Sequence, residues 1–254
     1  MSEKHITVSE HLIELRSRLL KSILFLFIAF IVCYIFSDKI YNFLVHPYAE
    51  AVKNDNVPRR LIFTALHETF LTYLKLAFFT AFFVSCPLIL MQIWKFIAPG
   101  LYKDEKIALL PFMIATPLLF LLGGMLVYYL IMPLAIKFFL SFETAAIDGS
   151  LPIQLEAKVN EYLSLVMKLI FAFGISFQLP VVLSLLARVG IVDAEFLKKR
   201  RKYVVVIIFA AAAILTPPDP ITQIGLAIPL LILYELSIFS VNLIEKKHLK
   251  DSDA

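Results

Sequence analysis

Six long apolar stretches separated by shorter polar ones dominate the chain. They run over Ser22–Phe36, Phe70–Ile97, Ile107–Leu134, Tyr162–Ala187, Tyr203–Leu215 and Ile221–Leu243. None shows the strict alternation of a half-buried strand, and open sheet edges cannot face hydrocarbon, so each is read as a helix. A lipid core of about 30 Å takes about 20 apolar residues in a helix. The pattern predicts a single all-α polytopic domain over 1–254, with about six transmembrane helices. Ahead of the first run, Leu12, Leu15 and Leu19 recur at spacings of three and four. They predict one apolar stripe on an interfacial helix within 1–20, capped by Thr7 or Ser9. Residues 244–254 read as a polar tail.

Composition fits lipid as the solvent. The chain is 60% hydrophobic and 17% charged, against about 45–50% and about 25% for soluble domains. Charge also sets the orientation. Of the 24 Lys and Arg, 16 fall on the side holding the N-terminus, the loop after the second run, the loop after the fourth run (Arg188 and the basic cluster Lys198–Lys202) and the tail. Positive charge marks the cytoplasmic face, so both termini are expected there. The basic cluster reads first as a topology anchor. The start is charged for about 20 residues with no small-residue cleavage site, so the first run is expected to stay as an anchor.

Thirteen prolines include Pro87, Pro117, Pro133, Pro180 and Pro229 inside apolar runs. Each removes a helix hydrogen bond and favours a kink, which predicts bent walls rather than a straight bundle. The last two runs read as short. Tyr203–Leu215 would extend only about 20 Å at about 1.5 Å per residue. Such a pair would thin the bilayer around it, unless Lys202 and Glu235 snorkel. The two loops on the outer face, of about 25–30 residues, are long enough to fold as caps.

Candidate chemistry is sparse. Cys33 and Cys86 lie inside apolar runs and read as small hydrophobes. No HExxH, GxSxG, P-loop or Cys/His cluster is present, so neither an enzyme nor a cofactor is expected. Glu10, Glu14 and Arg18 share a helix face, where intrahelical pairing is the plain explanation. The loop after the second run joins Trp94, Phe96 and Tyr102 to Asp104 and Glu105. Aromatics of this kind favour the interface, and rings beside carboxylates also suit a guanidinium. Lys168, Gln178 and Glu235 are costly polar groups inside apolar runs. Lys168 can snorkel and pair with Glu161, while Glu235 can meet a lysine of the tail or face the bundle interior. A small-solute or ion transporter is the alternative, but there is no internal repeat and few ionisable groups at mid-span.

Five segments, in order, resemble the TatC family of the twin-arginine (Sec-independent) protein translocase. They are HLIELRSRLL (His11–Leu20), CPLILMQIWKFIAPGLYKDEK (Cys86–Lys106), FAFGISFQLPVV (Phe171–Val182), FLKKRRKY (Phe196–Tyr203) and LTPPDPITQIGLAIPLLILYELSIF (Leu215–Phe239). The resemblance implies a six-helix, kinked, cup-like receptor in the bacterial inner membrane. It would read twin-arginine signal peptides of folded cargo and work with single-span TatA/TatB-type subunits and further copies of itself. Transport would draw on the proton-motive force, with no nucleic acid involved. The positions implied for the signal peptide are Glu14, Arg16, Phe96, Tyr102 and Glu105, with Pro87 structural. Gln178 stands where many members carry glutamate, so a titrating carboxylate cannot be essential there, whereas a hydrogen-bonding role survives. Asp219 and Glu235 match two further polar positions.

Overall fold

The computed structural model describes residues 8–53, 59–97, 103–144, 151–188, 190–216 and 219–252, without the side chains of 8–11, 94, 95, 97, 103–110 and 246–252. Among the described residues the chain is helical. The helices are α1 (Val8–Ile35), α2 (Ser37–Ala51), α3 (Glu68–Ile97), α4 (Lys103–Leu126), α5 (Met132–Leu140), α6 (Val159–Ser176), α7 (Leu179–Arg188), α8 (Ala194–Leu215) and α9 (Pro220–Ser252). A π-helical turn, Val127–Ile131, joins α4 to α5. The extended pairings described are isolated bridges, Ile62 with Lys158 and Thr144 with Ile153.

Among the described residues, five stretches are long and apolar enough to cross a membrane: Leu12–Ile35, Glu68–Ile93, Pro111–Leu140, Val159–Arg188 and Pro220–Glu245. The remaining apolar run, Tyr203–Leu215, is the second half of α8, whose first half carries the basic cluster. The all-helical membrane fold is therefore as the pattern predicts. Three details differ. First, α1 runs unbroken through Lys21 into the apolar run, because no helix breaker separates the leucine stripe from it. Second, the fourth run is two helices, α6 and α7, with a turn at Phe177 and Gln178 just ahead of Pro180. Third, Glu235 of α9 meets Arg201 of α8, whose Nη2 donates to Oε2 at 2.7 Å, rather than a lysine of the tail.

The chain forms two compact units. One comprises Met1–Asn42 with Phe70–Leu118. In it α1 packs on α3 through small residues: Ala77 and Ala81 are fully buried beside Cys33, with Leu26, Ala29 and Phe30 against them. The Phe30 and Phe78 rings meet edge-on at 6.3 Å, and Tyr41 stacks on Tyr73 at 5.5 Å. Large side chains on α1 such as Phe27, Ile28 and Ile35 stay exposed, as suits a helix whose outer face meets lipid.

The other unit comprises Phe43–Thr69 with Leu119–Ala254. Here α7 and α8 both pack along α9, around buried Ala194, Leu197, Tyr234, Ile238 and Val241. Close approach of α4 to α6 depends on glycine. A methyl group added at Gly123 would lie 2.7 Å from the Phe173 carbonyl oxygen, so that backbone contact admits no side chain. Tyr128 and Tyr162 tie the end of α2 to this unit, donating to the carbonyls of Phe43 at 2.8 Å and Leu44 at 3.0 Å.

The outer segments form a strap within this second unit. Ile62 exchanges backbone hydrogen bonds with Ala157 and Val159. Arg59 forks onto Glu143, Nη1 to Oε1 at 2.5 Å and Nη2 to Oε2 at 2.6 Å, and the Leu155 amide donates to the same carboxylate at 2.6 Å. This carboxylate lies outside the membrane-spanning stretches. The Arg59 hydrogen bonds, followed by the Leu155 amide, hold it below the usual carboxylate range.

Candidate functional site

Of the residues expected to meet a guanidinium, the first unit describes the side chains of Glu14, Arg16 and Phe96. Glu14 lies two turns into α1, and Arg18 follows one turn later, an arrangement that brings the two side chains into contact. Arg18 Nε and Nη2 both donate to Glu14 Oε1, at 3.0 and 2.5 Å. The third guanidinium nitrogen, Nη1, reaches across to α3 and donates to Gln92 Oε1 at 3.4 Å. The Arg18 and Glu14 side chains are 21% and 26% exposed. Ser22 Oγ donates to the Arg18 carbonyl at 3.0 Å. Phe96 is one turn beyond Gln92 on α3 and partly buried, so amide and ring share a helix face.

Pro87 lies inside α3, where it deprives the Phe83 carbonyl of its helical donor. Arg16 is exposed on the opposite side of α1 from its neighbours Glu14 and Arg18 in helical register. Tyr102 lies outside the described residues. Glu105 falls in the first turn of α4, and its side chain is outside the described set. The structure thus places Glu14 and Phe96 in one unit with the start of α4. It also adds Gln92, which sequence reasoning passed over. The signal available was an amide one turn before Phe96 at the end of an apolar helix.

The polar positions of the second unit each meet a structural neighbour. Gln178 occupies the break between α6 and α7, and its carbonyl accepts from the Val182 amide at 3.0 Å. Asp219 caps α9: Oδ1 accepts from the Thr222 amide at 2.8 Å, and Oδ2 accepts from the Thr222 hydroxyl. Both residues are buried. Glu235 pairs with Arg201, which belongs to the basic cluster rather than to the tail or the bundle interior. Glu161 pairs with Lys158, one turn before it, at 3.6 Å rather than with Lys168. The basic cluster itself leans on aromatics, with Arg200 5.0 Å from the Phe196 ring centre and Lys202 5.1 Å from that of Tyr203.

Helices of this length and apolarity, with their cations gathered at loops and helix ends, define a multi-pass α-helical membrane protein. The family model for TatC, Sec-independent protein translocase protein, matches residues 10–229. A TatC from Magnetococcus marinus is 48% identical over 252 residues, covering 99% of this chain and 90% of that protein. One from Escherichia coli K12 is 38% identical over 229 residues, covering 90% and 85%. The crystal structure of the twin arginine translocase receptor TatC superposes with a TM-score of 0.76 at 37% identity, over 93% of this chain and all of that one. The chain belongs to the TatC family of Sec-independent protein translocase proteins. Protein translocation, not the solute-transporter alternative, is the function this membership supports.

Proposed function

We propose that this chain is the receptor that reads twin-arginine signal peptides of folded proteins at the cytoplasmic face of the bacterial inner membrane. Glu14 and Glu105 are the carboxylates that accept the two guanidinium groups. Arg16, Phe96 and Tyr102 line the approach, and Pro87 shapes the end of α3. With single-span TatA/TatB-type subunits, and further copies of this chain in the complex, it moves cargo using the proton-motive force. Gln178, at a helix break, offers an amide to a polar residue of a partner helix, while Asp219 and Glu235 hold the last hairpin in shape for that docking.

The observation that carries this reading is that Glu14 already holds a guanidinium, that of Arg18, beside an amide and on the helix face that bears Phe96. The chemistry asked of the site is therefore one it performs at rest. A guanidinium forks onto carboxylate and stacks on aromatic rings, and an ammonium does neither as well. The test is photo-crosslinking in membranes. A probe at a position flanking Phe96 captures a twin-arginine signal peptide and loses it when the arginine pair is changed to lysine. Absence of capture by the otherwise wild-type chain overturns the receptor reading.

A further inference from the structure

The resting contact has a consequence for affinity. Arg18 delivers two nitrogens to one oxygen of Glu14, and among the described residues no donor is placed on the other, Oε2. The pair is adjacent in one helix and about three-quarters buried. Its third hydrogen bond, to Gln92, is long at 3.4 Å. A guanidinium is thus held by its intended acceptor loosely enough to leave.

We propose that Arg18 is an internal competitor that occupies the Glu14 carboxylate until a cargo arginine displaces it, with Gln92 as the residue that positions Arg18 for that role. The proposal rests on the reading that Glu14 binds the signal peptide. Exchange is like for like: a cargo guanidinium replaces that of Arg18, so the partly buried carboxylate is paired both before and after binding, where an uncompensated charge would be costly.

The competition has a definite thermodynamic form. When only the fraction of molecules with Glu14 released can bind, the apparent dissociation constant is the intrinsic one divided by that fraction. The factor is the same for every ligand of Glu14. Arg18 therefore does not alter the ratio of affinities for arginine and lysine peptides. It raises the threshold for both, and the weaker lysine ligand falls below its working concentration first. Discrimination in the cell is sharpened by a residue that contacts no cargo in the bound state.

The test uses the full chain in lipid nanodiscs and two fluorescent synthetic signal peptides, one with the arginine pair and one with lysines in its place. Arg18→Gln is expected to tighten both by an equal factor, about 1.5- to 5-fold, the range for a partly exposed ion pair. Arg18→Lys, which keeps the charge and loses the fork, gives a smaller gain of equal size for both peptides and serves if the glutamine variant misfolds. Gln92→Leu acts in the same direction. In a Glu14→Gln background the Arg18 substitution has no effect, because the contested acceptor is gone. The proposal is overturned if wild-type binding depends on Glu14 and yet Arg18→Gln and Arg18→Lys leave affinity unchanged, weaken it, or change the arginine-to-lysine ratio. If wild-type binding does not depend on Glu14 at all, the receptor reading fails and the proposal with it.

Discussion

Two arginine–glutamate pairs, one in each unit, use the same chemistry to opposite ends. In the strap, Arg59 meets Glu143 across 84 positions of sequence with one nitrogen on each carboxylate oxygen, and a backbone amide adds a third bond. In the first unit, Arg18 meets Glu14 one helical turn away, with both nitrogens on a single oxygen. The strap pair closes a long loop and saturates its acceptor. The helical pair joins neighbours on one helix and, among the described residues, has no donor on its second oxygen. A fork on two oxygens fixes geometry as well as energy, whereas a pair one turn apart on a helix contributes tenths of a kcal/mol and exchanges readily. The lesson is that a contact's connectivity, more than its chemistry, decides whether it is structural or available for binding.

That contrast can be broken experimentally. The largest effect on stability is expected from Glu143→Ala. It leaves Arg59, only 10% exposed, without its carboxylate and frees the Leu155 amide, so unfolding in detergent is made easier by about 2 kcal/mol. Exchanging the pair, Arg59→Glu with Glu143→Arg, recovers part of that loss by restoring the fork though not the amide bond. Equal melting of wild type and Glu143→Ala would show the strap pair to be as dispensable as the helical one.

A smaller, graded effect follows from pH. The Glu143 carboxyl is held below its usual range in the folded chain. Its contribution is therefore fully present above the ordinary carboxylate pKa, about 4.3, and is lost as the pH falls through the lowered folded value. Melting of the wild type should fall more steeply between neutral and strongly acidic pH than melting of Glu143→Gln. Parallel curves would remove the linkage.

The smallest effect belongs to the helical pair. Arg18→Ala is expected to cost at most about 0.5 kcal/mol of stability, read as the temperature at which buried Cys33 and Cys86 become reactive to a thiol probe. A loss as large as that from breaking the strap would make Arg18 structural and close off its role as a competitor.

The spans were legible in the sequence because lipid demands about 20 apolar residues per crossing. Within α1, the spacing of Glu14 and Arg18 made their contact available, since side chains one turn apart on a helix are neighbours. Two things were not legible. Glu235 could meet a tail lysine or face the bundle interior as far as sequence goes, yet its partner is Arg201 on the neighbouring helix. Gln92 gains meaning only from the guanidinium that α1 presents to it.

What the sequence determined by itself was everything local or solvent-driven: the apolar runs, their helical character, and the pairs one turn apart. What the tertiary structure alone decided was which of several equally suitable charges and amides became partners across helices. That choice depends on distances between segments far apart in sequence. Periodicity is silent about such distances, because they are set by how closely small residues such as Gly123, Ala77 and Ala81 let the helices approach.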